Sequence, residues 1–198
     1  MEPLKPFKPD RQTALIAVDV QNDFCPGGSL AVPEGDGVVP VLNRYIQSFM
    51  KNSLQVYATR DWHPPDHCSF KAQGGPWPVH CVQGTSGARF HPQLALPKDV
   101  VVISKATDPR EDAYSGFQGT GLSQRLKGQG IQKILVGGLA TDYCVKCTVL
   151  DGLKAGLTVY FLSDACRAVN INPGDGQKAV QEMRAAGAQE LNLAQLAY

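Results

Sequence analysis

The sequence predicts an α/β protein, a three-layer α/β/α sandwich around a central, mainly parallel sheet of about six strands. Three observations carry this expectation. Short continuous apolar runs alternate along the chain with segments whose apolar residues recur every three to four positions, which is the pattern of strands buried on both faces and of helices laid over them. Polar stretches rich in glycine and proline separate the two kinds of segment. No internal repeat, low-complexity stretch or linker divides the 198 residues, so a single domain over 1–198 is expected.

The elements follow in order. Residues 1–10 hold three prolines and no hydrophobic period, so they read as a surface lead-in. Residues 14–18 form an apolar strand that ends at Asp19, and 21–33 form a polar loop. Val38, Leu42, Tyr45, Ile46 and Phe49 mark a helix over 38–50. A second strand at 54–59 leads to Arg60, Asp61, Trp62 and His63. It opens a segment reaching about residue 97 that is full of glycine, proline, histidine and aromatic residues, and a loop of such length in a compact domain is usually functional. A third strand at 100–104 ends at Lys105, and a helix is expected at 122–128. The fourth strand, 133–136, runs into a tight turn at Gly137-Gly138 and then a helix over 142–155, whose inner face is Val145, Val149 and Leu153. A fifth strand at 158–162 ends near Asp164, a last helix covers 174–186, and 190–193 supplies a sixth strand.

Composition narrows the function. With 43% hydrophobic residues, 19% charged residues and a net charge of +1, the chain is an ordinary globular protein with no basic stripe for nucleic acid or an anionic membrane. No window approaches the roughly 20 apolar residues of a membrane span, and the first residues have no signal-peptide core, so a cytoplasmic protein is expected. Six cysteines in such a chain are expected to be reduced thiols rather than a disulfide framework. No nucleic-acid and no membrane partner is expected; a small-molecule substrate and a homo-oligomer are compatible with the same composition.

Parallel sheets place their sites beyond the carboxyl ends of the strands. Four successive ends carry reactive groups: Asp19, then Asp61 and His63, then Lys105, then Cys144. Cys144 sits at the start of a helix, where Thr141 or Asp142 can cap the first turn. Free N–H groups and the helix dipole there favour a thiolate and an oxyanion. Asp19 can take the thiol proton and return it to a leaving amine, while the Lys105 cation steadies both anions, which is amidase chemistry. An ion pair that merely ties two strand ends together is the simpler use of Asp19 and Lys105. Asp61 and His63 lie two residues apart on an extended segment, and His80 can close a site suited to zinc, iron or manganese. His67 lies in the same loop. Cys144 and Cys147 also form a C-x-x-C pair, which admits a dithiol redox or metal-binding protein, but in that reading Lys105, the histidine loop and the glycine pair have no task.

Six segments in order make the chain resemble the isochorismatase-like cysteine hydrolases, and within them the nicotinamidase (pyrazinamidase) branch. They are Val18-Asp19-Val20-Gln21-Asn22-Asp23-Phe24, Arg60-Asp61-Trp62-His63-Pro64-Pro65, Trp77-Pro78-Val79-His80-Cys81, Ser104-Lys105, Tyr114-Ser115-Gly116-Phe117 and Gly138-Leu139-Ala140-Thr141-Asp142-Tyr143-Cys144. The resemblance implies hydrolysis of nicotinamide to nicotinate and ammonia through a cysteine thioester, in NAD salvage, with pyrazinamide as a further substrate. It implies Asp19, Lys105 and Cys144 as the catalytic triad, and the Ala140 and Cys144 N–H groups as the oxyanion hole beside a cis peptide at Leu139-Ala140. It implies one divalent metal ion, zinc before iron or manganese, on Asp61, His63 and His80, with His67 or Ser69 in the part of the loop where members differ in a fourth contact. The metal would anchor the substrate ring nitrogen. Phe24, Trp77, Leu139, Ala140 and Tyr114 are the implied substrate-binding residues. Isochorismate hydrolases and carbamoyl amidohydrolases share the scaffold and remain the nearest alternatives.

Overall fold

The computed structural model describes residues 6–197. Its strands are β1 (Thr13–Val18), β2 (Gln55–Asp61), β3 (Val101–Lys105), β4 (Lys133–Leu139), β5 (Thr158–Arg167) and β6 (Gln189–Leu191). They form one sheet in the order β3-β2-β1-β4-β5-β6, and every neighbouring pair is parallel. The helices are α1 (Val38–Lys51), α2 (Leu122–Gly128), α3 (Lys146–Lys154) and α4 (Asp175–Ala185).

Alternating side chains on each strand divide the core into two layers. Leu15, Leu135 and Leu162 pack with Leu42, Tyr45, Ile46 and Phe49 of α1 on one face. Ala14, Ile16, Val18, Ile134, Val136 and Phe161 pack on the other with Leu122 and Leu126 of α2, Val149 of α3 and Met183 of α4. Each fully buried Leu, Ile or Phe in these layers contributes about 1.5–3 kcal/mol of transfer free energy. The result is the expected three-layer sandwich, and its sheet is wholly parallel.

Strand order reverses between β1 and β4, so their carboxyl ends open a crevice where the two crossovers diverge. Two boundaries differ from expectation there. Residues Gly137-Gly138 are not a tight turn: β4 runs through them to Leu139, with Ala17 paired to Gly137 and Val18 to Gly138. The glycines serve close approach. A Cβ on Gly138, whose φ is +133°, would run into the backbone of Val18. β5 likewise continues past its apolar run, because after an irregularity between Val136 and Gly138 it pairs again through Cys166 and Arg167. Asp164 therefore lies within the strand, where it accepts from the Tyr45 hydroxyl and the Leu193 N–H.

At the amino end, the segment expected to be a lead-in is tied down where it is described. Phe7 bridges to Leu196 and its ring lies 4.5 Å from that of Tyr160. Residues 1–5 of that expectation lie outside the described residues. Among the described residues no helix is long and apolar enough to cross a membrane.

Candidate active site

Asp19 is the residue at which β1 leaves the sheet, and it adopts a left-handed backbone with φ of 47°. Aspartate tolerates that conformation better than most side chains. Its N–H donates to Thr59 O at 3.2 Å, and Thr59 Oγ1 donates to Asp19 Oδ1 at 2.6 Å. Strand register places Lys105, the last residue of β3, beside Asp61, the last of β2. The Lys105 ammonium bonds Asp61 Oδ1, donates to Ala113 O at 3.1 Å, and lies 3.0 Å from Asp19 Oδ2 and 3.5 Å from Cys144 Sγ. All four side chains are buried, with Asp19 and Lys105 at 0% and 1% exposure. Asp19 Oδ2 has the cation at ion-pair distance but no hydrogen-bond donor aligned with it. That oxygen keeps a lone pair for the thiol, and oxygens of Asp19 and Asp61 lie within 4.8 Å of Cys144 Sγ and of each other.

Cys144 is carried by the turn that follows β4. The Leu139-Ala140 peptide is cis, as the resemblance implied. Residues Thr141–Val145 form a π-helical turn in which Val145 N–H donates to Ala140 O at 3.1 Å, and α3 begins only at Lys146. Such wide turns recur at functional sites. The expected side-chain cap is absent at this turn. The Asp142 carboxylate instead accepts from the N–H groups of Val169 and Asn170 at 2.9 and 2.8 Å.

Burial sets the charges. It raises the Cys144 thiol well above its ordinary value; Lys105 pulls it down, and Asp19 and Asp61 push it up again. The expected lowering at a helix start is therefore overturned in the resting enzyme, because desolvation outweighs the nearby dipole. Burial also raises Asp19, against the pull of Lys105. A carboxylate with a raised pKa is a stronger base, which suits an acceptor for a protonated thiol. For Lys105, burial would lower the pKa, but the Asp19 and Asp61 carboxylates outweigh it and hold the ammonium charged. Burial likewise opposes ionisation of Asp61, and Lys105 and His63 overcome it.

Asp61 also faces the histidines. Its Oδ2 lies 3.7 Å from His63 Nε2 and 4.0 Å from His80 Nε2. His63 Nδ1 is 3.2 Å from Ala106 O and His80 Nδ1 is 2.8 Å from Pro78 O. A carbonyl only accepts, so each ring donates from Nδ1 and leaves Nε2 facing Asp61, the usual support of metal-binding imidazoles. His63 Nε2 is buried with no partner of its own, and the three ligand atoms lie within 4.8 Å of one another. This donor set fits a divalent cation.

His67 does not join it. Its Nδ1 bonds Ser69 Oγ at 2.8 Å and its Nε2 lies 3.1 Å from Glu111 O, so both nitrogens are taken, and Ser69 Oγ is taken with them. The His67 ring stacks on His63 instead, with centroids 4.2 Å apart.

Cys144, Asp61 and His80 open into one pocket, lined also by Phe24, Trp77, Tyr114 and Ala140. Trp77 Nε1 donates to the Tyr114 hydroxyl at 2.9 Å, which fixes both rings. Leu139 is not part of the lining and lies in the core beneath it. Sequence reasoning missed Leu30, Val32, Tyr143 and Val169 as walls. Tyr143 adjoins the thiol in a quoted segment, but nothing local marks Val169, which arrives from the far end of β5. It also missed Gln21, fully buried, whose amide donates to Asp61 O and Ala88 O at 2.8 and 2.9 Å and accepts from Asp61 N–H at 2.8 Å.

The chain is similar to several known proteins. The nicotinamidase of Escherichia coli strain K12 is 45% identical over 202 residues, spanning 91% of this chain and 95% of that protein. Among solved structures, the pyrazinamidase of Pyrococcus horikoshii in complex with zinc superposes with a TM-score of 0.88 at 49% identity, over 92% of this chain and 99% of that one. PnC1 from L. infantum in complex with nicotinate gives a TM-score of 0.90 at 35% identity, over 97% and 98% of the two chains. The isochorismatase domain model matches residues 13–195, and the chain belongs to that family.

Proposed function

We propose that the chain is an amide hydrolase that converts nicotinamide to nicotinate and ammonia through a thioester on Cys144, in a single domain. The observation that carries this reading is the meeting of Asp19 Oδ2, Lys105 Nζ and Cys144 Sγ at the wall of a pocket that also holds Asp61 and His80. Asp19 takes the thiol proton as the sulfur attacks the amide carbon. The Ala140 and Cys144 N–H groups receive the oxyanion. Asp19 returns the proton to nitrogen as ammonia leaves, and then draws a proton from the water that cleaves the thioester. Lys105 stays charged throughout and stabilises whichever of Asp19 and Cys144 is the anion.

Asp61, His63 and His80 would hold a divalent cation, and zinc suits two imidazoles and a carboxylate. When bound, that ion supplies a Lewis-acid anchor for a ring nitrogen. Phe24, Trp77 and Tyr114 offer flat faces to a planar heteroaromatic ring. Pyrazinamide fits the same chemistry. The product, nicotinate, returns to pyridine-nucleotide synthesis, and six free thiols suit the reducing cytoplasm.

The test is ammonia release from nicotinamide by the zinc-loaded protein, with Cys144→Ala alongside. Turnover in the first and none in the second is the expected result. A zinc-loaded wild type that leaves nicotinamide intact would overturn the reading.

A further inference from the structure

Asp142 lies two residues before the nucleophile, but its carboxylate touches no part of the Asp19-Lys105-Cys144 cluster. It is buried, and both of its oxygens are used on consecutive backbone N–H groups of another segment, Val169 at 2.9 Å and Asn170 at 2.8 Å. Consecutive N–H groups converge on one anion only in a local bend, and Asn170 adopts the left-handed conformation with φ of 52°. The far side of the bend is secured as well. Asn170 Oδ1 accepts from Gly176 N–H at 2.8 Å in the first turn of α4, where a side chain larger than hydrogen would meet Ala168. Val169, held between these anchors, forms part of the pocket wall together with Phe24 and Ala140.

We propose that Asp142 is a positioning residue that fastens the Val169 wall of the substrate pocket to the turn carrying Cys144, so that the width of the pocket is set relative to the nucleophile. The proposal rests on the substrate pocket of the preceding reading. Its physical basis is the strength of charge-assisted bonds from buried N–H groups to a carboxylate, which exceeds that of neutral bonds. Thr141 and Tyr143 flank Asp142 in the same π-helical turn, and Tyr143 lines the pocket too, so one rigid turn presents the nucleophile and two parts of the wall. Val169 is then a specificity-determining residue, and a ring too wide for the gap is excluded by a wall that cannot swing away.

Asp142→Asn keeps size and one acceptor oxygen but loses the second acceptor and the charge. Its amide exchange at Val169 and Asn170, followed by hydrogen–deuterium exchange, is expected to quicken by about tenfold or more relative to wild type. KM for nicotinamide is expected to rise about tenfold with kcat changed less than about threefold, since the lost interaction positions the ring rather than the thiol. Val169→Ala approaches the same wall from the other side and should raise KM without disturbing the fold. In the double variant the two KM effects should fall short of additivity, as for residues acting through one contact. Unchanged exchange at 169 and 170, a loss confined to kcat, or fully additive KM effects would each overturn the proposal. Exchange is read without substrate, so a wild type inactive on nicotinamide would sink the functional reading while the clamp itself stays tested.

Discussion

Replacing Lys105 by methionine removes the only cation at the centre of a buried cluster of two carboxylates and a thiol, among the described residues. The side chain is of similar length, so little cavity is made and the effect is electrostatic. An exposed pair would be worth about 0–1 kcal/mol. Here both carboxylates are almost wholly withdrawn from water, and removing one partner of a buried pair costs about 3–5 kcal/mol because the other charge is left uncompensated. For a chain of this size that corresponds to a fall in Tm of roughly 6–20 °C. A second substitution identifies the cause. Asp19→Asn added to Lys105→Met removes one stranded carboxylate and should recover part of the lost Tm, while ammonia release stays abolished. Thermal unfolding followed by circular dichroism, at equal zinc loading, reads both. A Lys105→Met protein that melts with wild type, or a double variant less stable than the single one, would refute the electrostatic account of this cluster.

Three further outcomes are expected. Gly138→Ala should destabilise by about 3 kcal/mol or more and inactivate, because its Cβ meets the Val18 backbone one residue from Asp19; Gly137→Ala, whose nearest contacts of 3.2 Å are the ends of Leu162 and Leu42, should be far milder in urea unfolding. His63→Ala should lose stoichiometric zinc after dialysis, whereas His67→Leu should retain one zinc per chain by atomic emission; loss of zinc from the second variant would restore His67 as a ligand. Gln21→Leu, which strands both backbone groups of Asp61, should weaken zinc binding by about 10–100-fold in a chelator competition, and unaltered affinity would show that Asp61 needs no such brace.

The sheet, its parallel strands and the residues at the strand ends were legible because they depend on local pattern. An apolar run bounded by polar turns is a buried strand wherever it pairs, and Asp19, Asp61, Lys105 and Cys144 are neighbours because parallel strands end on one edge. The Asp61, His63 and His80 set was legible for a related reason: spacing on an extended segment aims side chains to one side. Pairing and packing decided the rest. Whether glycine turns the chain or lets two strands approach depends on the partner strand, which for Gly138 is β1. Whether a loop histidine faces a metal depends on which carbonyl takes its other nitrogen, and Glu111, far along the chain, takes that of His67. The sign of the thiol's shift is also tertiary, since a helix terminus favours the thiolate in water but complete burial reverses the balance. The sequence by itself thus determined which groups meet at the crevice between β1 and β4. Only the folded chain decided their protonation, the ligand that stays out, and the Val169 wall that Asp142 holds in place, because each of these depends on atoms brought together from distant segments.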